Sequence, residues 1–319
     1  MADAGLFVHK SARDAHEQIT RLSDFISPTI VAMWNLRWQV QGFLKVRPGT
    51  TQDELVQRFA SGSTMKGYEI KRACVDNTWE EQQERFSVIL LTNTIAIFEE
   101  FLDGLVGLTL SGDAKLRAIK ALQFPVASSG RNYLGGYNAL GSSVPELVDA
   151  FKSGTSLGRW YSGAKIQNLL LCYRFFKVIR NSWIHNGGRA TTELMAAYTA
   201  FLPVATTAHL GVKEVPAHAV PTLNAVIAPK LRGSYGFSDV VLRIIATYDR
   251  DLSDRRGALN DINSRLLSIT GVKRSHTLDA ARHKRLINGL FRRAQMPPPR
   301  QTPALIDFLK RTHRIPAHW

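Results

Sequence analysis

Cysteine is scarce in this sequence, and long uninterrupted apolar runs are missing from it. The chain of 319 residues has 2 cysteines, Cys74 and Cys172, which lie far apart. Their separation excludes a thiolate zinc cluster. Two isolated cysteines are typical of a protein from a reducing compartment, so we expect a cytoplasmic protein. The opening stretch, MADAGLFVHK, has neither a basic segment nor a long apolar one, so we expect no secretory signal.

The most apolar stretch is VILLTNTIAIFEEFLDGLVGLTL, which polar or acidic residues interrupt at Asn93, Glu99, Glu100 and Asp103. These positions disfavour a bilayer span, so we interpret the stretch as a buried helix and expect no membrane partner. P-loop, Rossmann and nucleophile-elbow patterns are also missing, and no histidines have metal-ligand spacing. NTP hydrolysis and acyl transfer therefore lack support, and we expect neither a cofactor nor a metal.

Positive charge is what the chain has in excess. Its formal net charge is +15, and the segment from Lys230 to the end contributes +11 through 18 Lys and Arg against 7 Asp and no Glu. Such asymmetry favours a polyanionic partner, because binding releases condensed counterions. A solubilising excess of charge explains the same numbers, and composition alone does not choose between them.

Helical periodicity dominates and strand alternation is scarce, which predicts an all-α fold. We expect helices at about 77–110, 164–185 and 191–201. We interpret Trp34 and Trp38, four residues apart, as core anchors rather than as a base-stacking platform. The predicted regions are an N-terminal region of several helices (1–75), a central helical domain (76–206) with a long Gly/Ser-rich loop (125–163), a connector (207–236) and a basic helical C-terminal region (237–319).

The stretch YRFFKVIRNSWIHNGGRA, at residues 173–190, begins as a buried helix and ends in glycines. Arg180 interrupts its apolar stripe, so this arginine needs an acidic partner, an interface or a bound anion. We expect Gly187 or Gly188 to stop the helix in the left-handed conformation.

His185 shares a polar face of this helix with Asn181, Lys177 and Arg174, at spacings of four, eight and eleven residues. The amide of Asn181 is spaced to bond or orient the imidazole. Arg180 and His185 are five residues apart, roughly 140° around the helix, so they can flank a groove.

The motif RNSWIH, at residues 180–185, resembles the R-x4-H motif of HEPN ribonucleases, in which a polar residue follows the arginine. The trailing HNGGRAT is similar to that family as well. The earlier LLTNTIAIFEEFLDGLVG resembles the HEPN helix that carries an acidic residue ahead of the motif helix. The likeness covers about residues 77–201. It implies a HEPN-like helical bundle, here with additional N-terminal helices and a basic C-terminal region.

The resemblance implies a homodimer that cleaves RNA without a metal, through attack of the 2′-hydroxyl on the adjacent phosphate. His185 would move a proton, Arg180 would stabilise negative charge on the phosphate, and Asn181 would position either group. We expect the apolar stripe beside Arg180, with Trp183 and Ile184, to line the dimer interface. The family also implies a toxin or anti-phage effector, which an inhibitory or antitoxin partner would neutralise.

We expect the acidic partner of Arg180 to come from the predicted helix at about 77–110. Glu99 or Glu100 is expected to fix the guanidinium, and Glu100 is preferred because its neighbours Asn93 and Ile97 belong to the more buried side. Lys177 is a further supporting residue. The expected RNA-binding residues are Arg174, Arg189, Arg282, Arg285, Arg292 and Arg293.

Two other functions remain open at this point. A non-catalytic HEPN-like module that binds RNA or a protein would have the same fold. A DNA-binding regulator is favoured only by the basic C-terminal region, in which no convincing helix-turn-helix is visible. The intact Arg-Asn-x-x-x-His spacing argues for the enzyme, since a binding module needs no titrating histidine there.

Overall fold

The structure is a computed structural model that describes residues 5–64, 67–126, 132–151, 160–269 and 280–318. Within these ranges the chain is helical and contains no β-strand, which confirms the predicted all-α class. The α-helices are α1 (Lys10–Val46), α2 (Gln52–Phe59), α3 (Trp79–Gly107), α4 (Gly112–Ala121), α5 (Tyr133–Ala139), α6 (Ile166–His185), α7 (Thr192–Phe201), α8 (Thr207–Leu210), α9 (Leu231–Asp251), α10 (Arg256–Leu267), α11 (Ala280–Arg293) and α12 (Pro303–Arg311).

Helices α3, α6 and α9 meet at the centre of the main core. Phe98 of α3 packs edge-on against Tyr173 of α6 with ring centroids 4.8 Å apart, and Phe176 of α6 stacks on Phe237 of α9 at 5.0 Å. All four side chains are buried. Each buried aromatic side chain stabilises the fold by about 1.5–3 kcal/mol, so this cluster fixes α6 relative to α3.

Helix α3 begins at a capping box. The Thr78 hydroxyl oxygen accepts a hydrogen bond from the backbone N–H of Glu81 at 3.1 Å, and the Glu81 carboxylate accepts one from the backbone N–H of Thr78 at 2.7 Å. These two bonds satisfy donors that a helix N-terminus otherwise leaves unpaired. The start of α3 is therefore defined, and with it the face on which Glu99 lies about five turns later.

Helix α1 is one continuous element of 37 residues, where the sequence predicted several helices. Pro28 lies inside it and cannot donate a hydrogen bond to the carbonyl of Asp24. Both residues are exposed, so water can hydrate that carbonyl and the helix continues. At its start, the buried carboxylate of Asp249 in α9 accepts hydrogen bonds from the backbone N–H groups of Val8 and His9 at 3.0 and 2.8 Å.

The interpretation of Trp34 and Trp38 as core anchors is wrong. Their exposed fractions are 39% and 57%, because the opposite side of α1 faces the core. On that side Val40 is buried, and Arg37 donates hydrogen bonds to backbone carbonyls at the start of the α3 region. The two tryptophan rings contact each other edge-on, with centroids 5.6 Å apart.

Two smaller apolar clusters accompany the main core. One joins the C-terminal half of α1 to α2 through Val40 and Leu55, and the other joins α10, α11 and α12. The predicted loop 125–163 contains α5, and its residues Leu147 and Phe151 pack into the cluster of α10–α12. The parts of that loop at 127–131 and 152–159 lie outside the described residues.

Two of the three predicted regional boundaries fall inside structural elements, whereas the third, at 206/207, coincides with the start of α8. The boundary at 236/237 lies within α9, whose Phe237 and Tyr248 belong to the main core together with α3 and α6. The boundary at 75/76 lies within a π-helical turn, Arg72–Asp76, which contacts α1. Among the helices described, none combines the length and apolar character required to cross a bilayer.

Candidate functional site

The end of α6 is set by two glycines. Gly187 and Gly188 have φ of +57° and +77°, so the predicted left-handed stop is confirmed at both residues. The backbone N–H of Gly188 donates to the carbonyl of Ser182 at 2.9 Å. A Cβ on Gly188 would lie only 3.0 Å from the indole ring of Trp183, whose Nε1 donates to the carbonyl of Ile227 at 2.8 Å.

Of the three partners that an apolar stripe leaves open for Arg180, the structure shows an acidic one. Its Nη2 lies 3.6 Å from Oε2 of Glu99 on α3, and its side chain is 16% exposed. Its Nε is buried and has no hydrogen-bond partner among the described residues. The guanidinium is therefore held from one side only, and part of its donor capacity is unused.

The preference for Glu100 as this partner is wrong. Glu100 is exposed and accepts a hydrogen bond from Nε2 of Gln18 at 3.2 Å. It lines a cavity of about 330 Å³ between α1 and α3, away from α6. The error has a physical reason: Asn93, taken as a buried neighbour of Glu100, is itself exposed, so that side of α3 does not face α6.

Lys177 shares Glu99 with Arg180. Its Nζ lies 2.5 Å from Oε1 of Glu99 and also donates to the side-chain carbonyl of Gln123. Burial lowers the pKa of Lys177, and the hydrogen bond and charge of Glu99 oppose this shift. The hydroxyl of Tyr173 donates to the same oxygen of Gln123 at 3.4 Å, and burial raises the pKa of Tyr173.

We call Glu99, Lys177 and Arg180 the Glu99 cluster. One carboxylate here serves two cations, so the three groups carry a net charge of +1 when ionised. Burial deprives the charged lysine of hydration, and a nearby negative charge compensates for that loss. A further anion near the cluster would therefore be favoured. Gln123 was not predicted from the sequence, and no signal pointed to it, because it lies 54 residues before Lys177 and outside any motif.

His185 and Asn181 are not brought into the Glu99 cluster. His185 is exposed at the last residue of α6, and Asn181 is half-buried. In the part of the chain that the structure describes, neither side chain has a hydrogen bond, and Asn181 does not bond His185. The orienting role predicted for Asn181 is therefore not realised in this conformation.

Two of the predicted RNA-binding arginines already bind protein groups. Arg174 lies 3.2 Å from a carboxylate oxygen of Glu193 and places its guanidinium over the ring of Phe124, 4.2 Å from the centroid. Arg189 is exposed and donates to the carbonyl of Asn224 at 3.1 Å. Through Glu193 and Asn224 these two arginines contact segments that follow α6, and through Phe124 Arg174 also contacts the end of the α4 segment, which the sequence did not indicate.

The other four predicted RNA-binding arginines share the outer face of α11. The inner face of this helix is apolar, with Ile287, Leu290 and Phe291 buried against α10 and α12. The separation of apolar and basic faces predicted for this helix is therefore present. The exposed arginines are Arg282, Arg285, Arg292 and Arg293.

The apolar stripe on α6 that was expected to line a dimer interface lies inside the monomer. Leu169, Tyr173 and Phe176 are buried against α3 and α9, and Trp183 is half-buried against the segment containing Ile227. Only Ile184 of that set is exposed, at 49%. This stripe is occupied by the chain's own core, which corrects the expectation.

No family model matches the chain, and neither a curated protein nor a solved structure was found to be similar to it. Among the described residues, no three His, Cys, Asp or Glu side chains are grouped so that they would hold a metal ion. The geometry of the site is therefore the basis for any functional conclusion.

Proposed function

We propose that this protein is a metal-independent endoribonuclease of the HEPN type. The observation that carries the proposal is the ion pair between Arg180 and Glu99, which fixes the arginine of the R-x4-H motif from a neighbouring helix. A partly buried arginine with an unused Nε is suited to stabilise charge that develops on a phosphate. The exposed imidazole of His185 lies one and a half turns further along α6, at its accessible end.

In the proposed reaction the 2′-oxygen of RNA forms a bond to the adjacent phosphorus as the bond to the 5′-oxygen breaks. His185 takes the proton from the 2′-oxygen or delivers one to the 5′-oxygen, since a ring nitrogen of an imidazole can accept or donate a proton. Arg180 neutralises the negative charge on the non-bridging oxygens. The products are a cyclic phosphate and a free 5′-hydroxyl, and DNA is not a substrate because it lacks the 2′-hydroxyl.

The test compares wild type with His185→Ala and Arg180→Lys in excess EDTA, on an RNA and on the same sequence with deoxyribose throughout. We expect both variants to lose activity by about 100-fold or more, because each removes a group that acts in the transition state. His209→Ala is the matched control, because His209 is also exposed at a short helix. Equal cleavage by wild type and all three variants contradicts the proposal.

A non-catalytic RNA-binding module is the second candidate, and one observation favours it. His185 and Arg180 point roughly 140° apart on a single helix, and His185 has no partner that orients it among the described residues. Wild-type protein that binds RNA yet leaves it intact, with or without added divalent ions, would support this candidate over the enzyme.

The biological role that we propose with the enzyme is that of a toxin or anti-phage effector that cuts cellular or viral RNA, and an inhibitory partner would keep it silent. The motif and the basic surface of α11 support this role. Growth arrest on expression of wild type, with normal growth on expression of His185→Ala, is the expected result.

A further inference from the structure

Gln123 lies two residues past the end of α4 and is buried beside the Glu99 cluster, with only 6% of its surface exposed. Its side-chain oxygen accepts hydrogen bonds from Nζ of Lys177 and from the hydroxyl of Tyr173. Its amide nitrogen donates to the carbonyl of Ile119 at 3.3 Å, which directs the oxygen toward α6. Both ends of this amide are bonded, so its orientation is fixed.

The backbone around Gln123 is held as firmly as its side chain. The carbonyl of Leu122 accepts a hydrogen bond from the hydroxyl of Tyr248 in α9 at 2.6 Å, and Leu122 itself is fully buried. The ring of Phe124 lies under the guanidinium of Arg174 in α6. Three consecutive residues after α4 are therefore anchored to α6 or α9. A side chain that positions a functional group needs such a rigid support.

Glu99 is shared unequally between its two cations. Its Oε1 lies 2.5 Å from Nζ of Lys177, which is a charge-assisted hydrogen bond. Its Oε2 lies 3.6 Å from Nη2 of Arg180, which is an ion pair without a hydrogen bond. An ammonium group has three donors and no fixed plane, so Nζ is able to bridge both oxygens of a carboxylate and to displace the arginine. Another contact must therefore keep Nζ on the Oε1 side.

We propose that Gln123 is a positioning residue for Arg180: it holds Lys177 against one oxygen of Glu99 and so leaves the other oxygen to Arg180. Gln123 acts through Lys177 and Glu99 and does not itself touch RNA. Its neutral charge is part of this role, because a carboxylate in its place would cancel the net charge of +1 that attracts phosphates. The inference rests on the proposed ribonuclease function, in which Arg180 stabilises charge on the phosphate.

Two replacements of Gln123 separate its acceptor from its charge in steady-state RNA cleavage. Gln123→Met keeps the length but removes the acceptor, so Lys177 is free to bridge Glu99. We expect kcat to fall about tenfold while KM changes by less than about twofold. Gln123→Glu keeps the acceptor and adds a negative charge, so we expect kcat within about twofold of wild type and KM about fivefold higher. The slope of log K against log salt should become shallower by about 0.7, the contribution of one phosphate contact.

Gln82→Met is the matched control. Gln82 is also a buried glutamine, 8% exposed, and its amide nitrogen donates to the carbonyl of Ala73. It lies about 25 Å before Glu99 along α3, so we expect some loss of stability but wild-type kcat and KM. A second control is the Lys177→Met background. Since Gln123 acts through Lys177, the addition of Gln123→Met to that variant should lower kcat no further.

A measurement without substrate keeps this inference separate from the proposed function. The Nε–H of Arg180 is buried, so it exchanges slowly with water and its NMR signal, assigned by its loss in Arg180→Lys, reports the position of the guanidinium. We expect Gln123→Met to shift this signal and Gln82→Met to leave it in place.

An Arg180 signal that Gln123→Met leaves unshifted overturns the positioning role. An equal fall of kcat from Gln123→Met in the wild-type and Lys177→Met backgrounds overturns it too, as does a fall of the same size from Gln82→Met. Wild type that does not cleave RNA, together with an Arg180 signal that Gln123→Met shifts, supports the positioning role and overturns only the proposed function.

Discussion

Glu99 and Glu100 are adjacent in the sequence but face different neighbours in the fold. Glu99 contacts Lys177 and Arg180 of α6, whereas Glu100 contacts Gln18 of α1. Neighbouring helical residues point about 100° apart, so the choice depends on where the partner helices lie, and one sequence does not contain that information. That Arg180 needs an acidic partner, an interface or a bound anion was predictable, because this need followed from the apolar stripe alone.

Replacement of Glu99 by Gln tests the cluster at the scale of one residue. The change keeps the size of the side chain but removes the charge that two cations share, so we expect the free energy of unfolding to fall by about 1 kcal/mol. In RNA cleavage we expect kcat to fall about tenfold, because Arg180 loses its anchor, while KM does not rise, because the site becomes more positive.

Glu100→Gln is the matched control for this prediction. It makes the same chemical change one residue further along α3. The Glu100 side chain is exposed and its hydrogen-bond partner is Gln18 rather than a cation of α6. We expect wild-type stability and wild-type kinetics from it, measured by urea unfolding and by steady-state cleavage. If Glu99→Gln and Glu100→Gln behave alike, the Glu99 cluster has no special role.

Single helices show which features a sequence predicts well and which it does not. The range of α6 and its glycine stop followed from local chemistry, since an apolar stripe ended at Gly187 and Gly188. The continuity of α1 through Pro28 did not, because it depends on the exposure of a single carbonyl. The spacing of Trp34 and Trp38 showed that they share a face of α1 but not whether that face is covered by the same chain.

The capping box of α3 makes a prediction at the scale of one element. Thr78→Ala removes the side-chain cap of the helix that carries Glu99, so we expect a loss of about 1 kcal/mol in the free energy of unfolding. Hydrogen bonds from Thr78 lower the pKa of Glu81 below its ordinary value of 4.5. A carboxyl whose pKa is lower in the folded state contributes stability above the unfolded pKa and loses it as pH falls through the folded pKa.

The difference between wild type and Thr78→Ala should therefore be largest at neutral pH and should shrink below about pH 4. Urea unfolding at neutral pH and at pH 3 measures it. Thr199→Ala is the control, because Thr199 is exposed and its hydroxyl donates within α7 without capping it. A difference that stays constant over this pH range would mean that the Thr78 hydroxyl does not stabilise the Glu81 carboxylate, since the variant keeps the bond from the backbone N–H.

At the scale of the whole molecule, charge and core packing divide the chain differently. The sequence assigned 237–319 to one basic region because charge is concentrated there. Yet α9 contributes Phe237, Ile244 and Tyr248 to the main core with α3 and α6. Charge describes the surface of a protein, and it does not indicate which helices share an interior. The basic region is thus continuous with the core at α9, and its exposed arginines lie further along, on α11.

Reversal of the α11 arginines tests whether that surface binds RNA. Arg282, Arg285, Arg292 and Arg293 are all exposed, so their replacement by Glu should leave the fold intact. The change lowers the formal net charge from +15 to +7. If the four side chains contact phosphates of single-stranded RNA, the slope of log K against log salt should become shallower by about 3 units, because each contact contributes about 0.7.

A second reversal separates local contacts from net charge. Replacement of Lys45, Arg47, Lys71 and Arg72 by Glu gives the same total charge, and these residues are exposed beside the small cluster of α1 and α2 rather than on α11. We expect this variant to bind RNA with nearly the wild-type slope, since distant surface charges are screened beyond a Debye length of about 10 Å at 0.1 M salt. Equal slopes for the two variants would mean that α11 makes no specific contribution. An unchanged slope for the α11 variant would mean that its charge only keeps the protein in solution.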